Sequence, residues 1–110
     1  MATTTASLST HVLDTAAGRP AEGLRITLEA ADGNVLAEAV TDADGRVGAL
    51  AADLVAEDHV LRFDTGAWYA ARGETAFYPE VVVAFTVLDD GHYHVPLLLS
   101  PFGYSTYRGS

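Results

Sequence analysis

The chain contains no cysteine and no lysine. The first absence excludes disulfide staples, thiol nucleophiles and thiolate metal sites, and it fits a reducing compartment such as the cytoplasm. The second leaves arginine as the only cationic side chain besides histidine: Arg19, Arg25, Arg46, Arg62, Arg72 and Arg108. Against 15 acidic residues these give a formal net charge of −9. That balance lacks the basic surface nucleic acid requires. Long apolar runs are missing too. The longest, Val81-Val82-Val83-Ala84-Phe85, is far too short to span a bilayer. Met1 to Ser9 lack the basic start and apolar stretch of a secretory signal. No phosphate-binding glycine loop, dinucleotide fingerprint or Gly-x-Ser-x-Gly elbow is present. The expectation is a cytoplasmic protein with no nucleic-acid or membrane partner. Its lysine-free, alanine-rich usage points to a bacterium with GC-rich DNA.

What is present alternates. The 110 residues suit one domain, expected over residues 8–110 behind a flexible Thr/Ala-rich segment at 1–7. In Leu24 to Ala30, Leu24, Ile26, Leu28 and Ala30 share one face, and Arg25, Thr27 and Glu29 the other. Asp32-Gly33 and Asp90-Gly91 each separate two apolar segments, a hairpin signal. Further strands are expected at Leu8–Asp14, Val35–Thr41, near Val47, at Val60–Asp64, His92–Leu99 and Gly103–Arg108, with a short helix over Gly66–Gly73. Roughly seven or eight short strands with frequent turns predict an all-β antiparallel sandwich. Val81 to Leu88 is apolar on both faces, so a second subunit is expected to cover the face the core does not use.

Four histidines carry most of the available chemistry. Strand parity puts His11 with Ser9 and Leu13, away from Leu8 and Val12. A single strand histidine is more often structural than catalytic. His92 and His94 share a face with Pro96 and Leu98, while Tyr93, Val95, Leu97 and Leu99 face the core. Such a pair chelates zinc if His11 supplies a third ligand, or serves as an acid/base site, or does nothing. His59, following Glu57-Asp58, reads as a surface residue. Arg46 follows the tight acidic turn Thr41-Asp42-Ala43-Asp44-Gly45, whose glycine falls too early for a calcium loop. It is either a solvated turn charge or a guanidinium held to grip a carbonyl or anionic ring. At the C-terminus, parity groups Ser105, Tyr107 and Gly109 and turns Arg108 elsewhere.

These segments together resemble the 5-hydroxyisourate hydrolase family, the enzymatic relatives of transthyretin. The resemblance runs from Leu8 to Ser110. It is carried by Leu8-Ser9-Thr10-His11-Val12-Leu13-Asp14, Gly18-Arg19-Pro20-Ala21, Thr41 to Arg46, His92 to Pro101, and the closing Tyr104-Ser105-Thr106-Tyr107-Arg108-Gly109-Ser110. The final Tyr-Arg-Gly-Ser separates the hydrolases from the hormone carriers, and Phe102 stands where tyrosine is commoner. The resemblance implies a transthyretin-like sandwich and a homotetramer with active sites at the dimer–dimer interface. It implies ring-opening hydrolysis of 5-hydroxyisourate without metal or cofactor. It places the catalytic residues at His11, Arg46 and His94, with substrate contacts from His11, Arg46, Tyr107, Arg108, Gly109 and Ser110. The alternatives are a transthyretin-like carrier of an aromatic ligand and a zinc-dependent cyclic amidohydrolase using His11, His92 and His94.

Overall fold

In the computed structural model, which describes residues 3–110, the alternation of side chains becomes two facing sheets. In chain order the elements are β1 (Ser7–Asp14), β2 (Arg19–Pro20), β3 (Arg25–Ala30), β4 (Val35–Val40), β5 (Arg46–Ala51), β6 (Asp58–Phe63), α1 (Thr65–Ala70), β7 (Val81–Thr86), β8 (His92–Ser100) and β9 (Gly103–Thr106). One sheet is ordered β2-β1-β8-β9, with β5 also paired to β1; the other is β4-β3-β6-β7.

Each strand turns one parity inward. β1 contributes Leu8 and Val12, β3 Ile26 and Leu28, and β6 Leu61 and Phe63. β7 adds Val81 and Val83, and β8 adds Tyr93, Val95, Leu97 and Leu99. Fully burying one such side chain stabilises the fold by about 1.5–3 kcal/mol, so the inward set determines which way each strand faces. The outward faces of β1 and β8 are thereby left free for polar residues.

Asp32-Gly33 closes the β3–β4 hairpin as expected, with Gly33 at φ 91. Asp90-Gly91 does not close one. β7 pairs with β6 and β8 with β1 and β9, so this turn carries the chain from one sheet to the other. The Gly91 carbonyl instead accepts the Ser7 N–H at 2.9 Å, at the start of β1. The sandwich is antiparallel except for β1 and β8, which run parallel from Ser7↔His92 to Asp14↔Leu99.

His59 is not a surface residue: it is fully buried, stacks on Phe85 with centroids 5.8 Å apart, and places Nδ1 3.0 Å from the Glu57 carbonyl. β6 starts at Asp58, and His59 has the inward parity of Leu61 and Phe63. Within the segment expected to be flexible, residues 3–6 have partners in the fold. Thr3 bridges Val55, Thr4 N–H donates to the Leu54 carbonyl at 3.0 Å, and Ala6 is buried in the core. Residues 1–2 lie outside the described residues. The helix occupies Thr65–Ala70, and its following turn closes at Gly73 with φ 74. On β7, Val82 is 45% exposed within one chain, which leaves the second apolar face of that strand open.

Candidate active site

β1 lies between β5 and β8, and its outward face brings three strands' polar residues together. His11 is opposite Arg46 in the antiparallel pair, a position that separates Cβ atoms by about 4.5–5.5 Å. Ser9 is beside His94 in the parallel pair. Between Leu8↔Ala51 and Thr10↔Val47 the register shifts, so β5 bulges opposite Ser9. Gly48 falls in that bulge. A Cβ there would meet nothing within 4 Å, so this glycine leaves space open beside the histidines.

Arg46 is presented by a turn whose own acid builds it. Asp42 Oδ1 accepts the N–H of Asp44 and of Arg46, both at 2.9 Å, and the Asp42 N–H donates to the Arg46 carbonyl at 3.0 Å. Gly45 must be glycine: its φ is +74 and a Cβ would strike the Val12 carbonyl oxygen of β1. Asp42 is spent on backbone, and the Arg46 guanidinium has no hydrogen bond or ion pair among the described residues.

The result is a cavity of about 260 Å³ lined by Ser9, Thr10, Arg46, Gly48, His92, His94 and Ser110. His11 is not part of this lining; half-buried, it stands opposite Arg46 on β1. His94 is held below the usual histidine value of 6.5, first by partial burial and then by electrostatic repulsion from Arg46, with further contributions from the neighbouring His11 and His92. The imidazole is therefore neutral at pH 7, the form that accepts a proton.

Ser9 was not among the residues singled out from the sequence. Its Oγ lies 2.7 Å from His92 Nε2 and 2.7 Å from His94 Nδ1, and Ser7 Oγ lies 2.6 Å from His92 Nδ1. Its shared parity with His11 was the available signal. The alignment with His92 and His94 depends on a pairing between strands more than eighty residues apart.

The C-terminal tail divides at Gly109. The Gly109 N–H donates to the His94 carbonyl at 2.8 Å, and Ser110 reaches the cavity. Tyr107 and Arg108 turn away within one chain. They line a neighbouring cavity of about 280 Å³ with Val83, Phe85, Tyr93 and Val95, and the Arg108 guanidinium sits 4.3 Å from the Tyr93 ring centroid. The fold thus gathers His11, Arg46, His94, Gly109 and Ser110, adds His92 and Ser9, and sets Tyr107 and Arg108 apart. Among the described residues no three of His, Cys, Asp and Glu are placed to hold a metal ion, and both His92 nitrogens are engaged by serines.

Comparison with known proteins agrees with this architecture. Residues 8–109 match the model of the HIUase/Transthyretin family. A 5-hydroxyisourate hydrolase from Mesorhizobium japonicum is 46% identical, over 94% of this chain and 91% of its own length. The structure of Klebsiella pneumoniae 5-hydroxyisourate hydrolase superposes with a TM-score of 0.88 at 42% identity, covering 94% of this chain and 99% of that one. Sea bream transthyretin, solved in complex with thyroxine, superposes with a TM-score of 0.86 at 33% identity, covering 94% of both chains. With strand order, polar cavity and nearly full-length similarity in agreement, the chain belongs to the HIUase/transthyretin family.

Proposed function

We propose that this chain hydrolyses 5-hydroxyisourate in urate degradation, using a histidine-activated water and no metal or cofactor. The observation that carries the reading is the meeting of His94 and Arg46 in one open cavity, with His11 opposite Arg46 on the adjacent strand, in a chain similar to proteins named for that activity.

Amide hydrolysis needs a base for water, charge stabilisation at the carbonyl oxygen and a proton for the departing nitrogen. His94 Nδ1 is occupied by Ser9, so Nε2 is its free nitrogen. We assign Nε2 as the acceptor of the water proton while the water oxygen bonds to the ring carbonyl carbon. The Arg46 guanidinium, unpaired among the described residues and always charged, stabilises the oxyanion that forms. As the carbon–nitrogen bond breaks, His11 in its protonated form supplies the proton to the ring nitrogen. The product is the ring-opened ureidoimidazoline carboxylate. Ser110 and Gly109 close one wall.

Tyr107 and Arg108 are assigned to substrate contact as members of the same tail rather than from their place in one chain. A homotetramer with sites at the dimer–dimer interface fits the exposed Val82 of β7 and the solvent-open side of the histidine cavity. A cytoplasmic location fits the absence of cysteine. A carrier function has structural support in the likeness to sea bream transthyretin. The Arg, His and Ser lining favours chemistry over storage of a greasy ligand.

The test is the ultraviolet absorbance decay of hydroxyisourate generated in place by urate oxidase. The protein should accelerate the decay, His94→Asn should lower the rate by about 10²–10⁴-fold, and exhaustive chelation should change nothing. An unaccelerated decay would sink the hydrolase reading, and chelator sensitivity the metal-free one.

A further inference from the structure

We infer that Ser9 and His92 are positioning residues for His94: Ser7, His92, Ser9 and His94 form one hydrogen-bonded chain that holds His94 as the Nδ1–H tautomer, its Nε2 lone pair facing the cavity. The inference deepens the hydrolase reading and rests on it for its kinetic consequences.

Ser9 Oγ stands 2.7 Å from His92 Nε2 and 2.7 Å from His94 Nδ1, yet a serine hydroxyl has one hydrogen to donate. It can donate to only one of the two imidazoles, so at least one ring must present an N–H to it and the two rings cannot choose tautomers independently. If His94 Nδ1–H donates to Ser9, the Ser9 hydrogen is free to donate to His92 Nε2, which completes the chain. His92 then carries its proton on Nδ1 and donates it to Ser7 Oγ, 2.6 Å away. Reversing every bond gives an equally complete chain in which His94 carries its proton on Nε2.

Arg46 distinguishes the two directions. Its guanidinium lines the same cavity and has no carboxylate partner among the described residues. An Nε2–H would turn a second positive dipole end toward that charge, whereas a lone pair is attracted by it. The favoured direction is therefore the one that leaves a base facing the cavity. The chain also fixes ring orientation, since rotating His94 would break its bond to Ser9. The other face of the strand is no competitor for these contacts: Tyr93 and Val95 are committed to the core.

His92 lines the cavity but is hydrogen-bonded to His94 only through Ser9, and it is exposed, so its replacement tests coupling rather than folding. In His92→Phe the Ser9 hydrogen loses its acceptor and is released to donate to His94 Nδ1. His94 should then switch toward Nε2–H. Ser9→Ala removes the coupling atom itself and should leave a mixture of tautomers. Ser9→Thr keeps the hydroxyl and should behave as wild type.

The experiment labels histidine with ¹⁵N and reads the ring nitrogens of His94 by long-range ¹H–¹⁵N correlation, alongside kcat and KM. Wild type and Ser9→Thr should show Nδ1 protonated. His92→Phe should show the shift to Nε2–H and Ser9→Ala a mixture of the two tautomers, each with kcat reduced by about 10–100-fold, the range seen when a metal-ligating imidazole loses the partner that orients it, and KM changed little. Wild-type His94 protonated on Nε2, or variants with an unmoved tautomer, would overturn the inference. A shifted tautomer with unchanged kcat would overturn its catalytic consequence. If wild type fails to hydrolyse the substrate while the tautomer responds as stated, the function is wrong and the coupling stands. Should Ser9→Ala fail to fold, the His92→Phe spectra decide the matter alone.

Discussion

Gly109 lies against the ring of His94: its N–H donates to the His94 carbonyl at 2.8 Å, and a Cβ built on it would stand 2.5 Å from His94 Cδ2. No side chain fits there unless the imidazole moves, and Ser9 Oγ holds that imidazole at 2.7 Å from the opposite edge. Gly109→Ala should therefore displace the ring and lower kcat by about 10²-fold, the scale of a misplacement near 1 Å. The melting temperature should change little, because Gly109 lies outside the regular strands and is not part of the core. An alanine variant with full activity would mean that His94 tolerates the shift and does not act from its observed position.

The electrostatics of His94 give a pH prediction with a definite sign. Burial and the Arg46 charge lower its value below 6.5, so the acid limb of activity should rise with pH through that lowered value. Arg46→Gln removes one of the causes, so the acid limb of kcat/KM should move to higher pH while the plateau falls. For stability, the unfolded chain binds more protons than the folded one between the two values, so the neutral ring's contribution is complete above 6.5 and is lost as pH falls through the folded value. An acid limb that stays in place or moves lower in Arg46→Gln would remove His94 as the titrating base.

Parity along single strands was readable from the sequence and led to much of this site. The inward set Tyr93, Val95, Leu97 and Leu99 and the outward pair His92 and His94 follow from a period of two, and the same rule separates His11 from Leu8 and Val12. Pairing between strands was not readable. Asp90-Gly91 has the chemistry of a turn, but a turn does not specify which sheet receives the next strand; here it crosses between sheets. The parallel alignment of Ser9 with His94 is likewise a choice among distant partners, so Ser9 looked like an ordinary strand serine. His59 shows the opposite error. The charges of Glu57 and Asp58 suggested a surface, although its alternation with Leu61 and Phe63 already marked it as inward.

Gly48 offers a test of the cavity that leaves the histidines untouched. Its φ is not in the left-handed region, and a side chain would enter open space. Gly48→Leu should fold with an unchanged melting temperature and fill part of the 260 Å³ beside His94. Hydrolysis should fall about tenfold or more, equivalent to about 1.4 kcal/mol of transition-state stabilisation, with KM rising as the substrate is crowded. Unimpaired turnover would place the substrate elsewhere.

Deleting Tyr107–Ser110 separates the tail's chemistry from its structure. The deletion removes the Gly109–His94 hydrogen bond and the stacking of Arg108 over Tyr93. It spares the β8–β9 register from Leu97↔Thr106 to Ser100↔Gly103, and the Thr106 hydroxyl still donates to the Pro96 carbonyl at 2.7 Å. One hydrogen bond and one partly exposed cation–π contact together stabilise the fold by about 1–2 kcal/mol. The truncated chain should therefore remain folded by circular dichroism, with a melting temperature lowered by several degrees. Its hydrolysis should be lost, because the wall formed by Gly109 and Ser110 and the contacts assigned to Tyr107 and Arg108 go together. A truncated protein that unfolds would make the tail a structural strap first, and one that stays active would remove all four residues from the site.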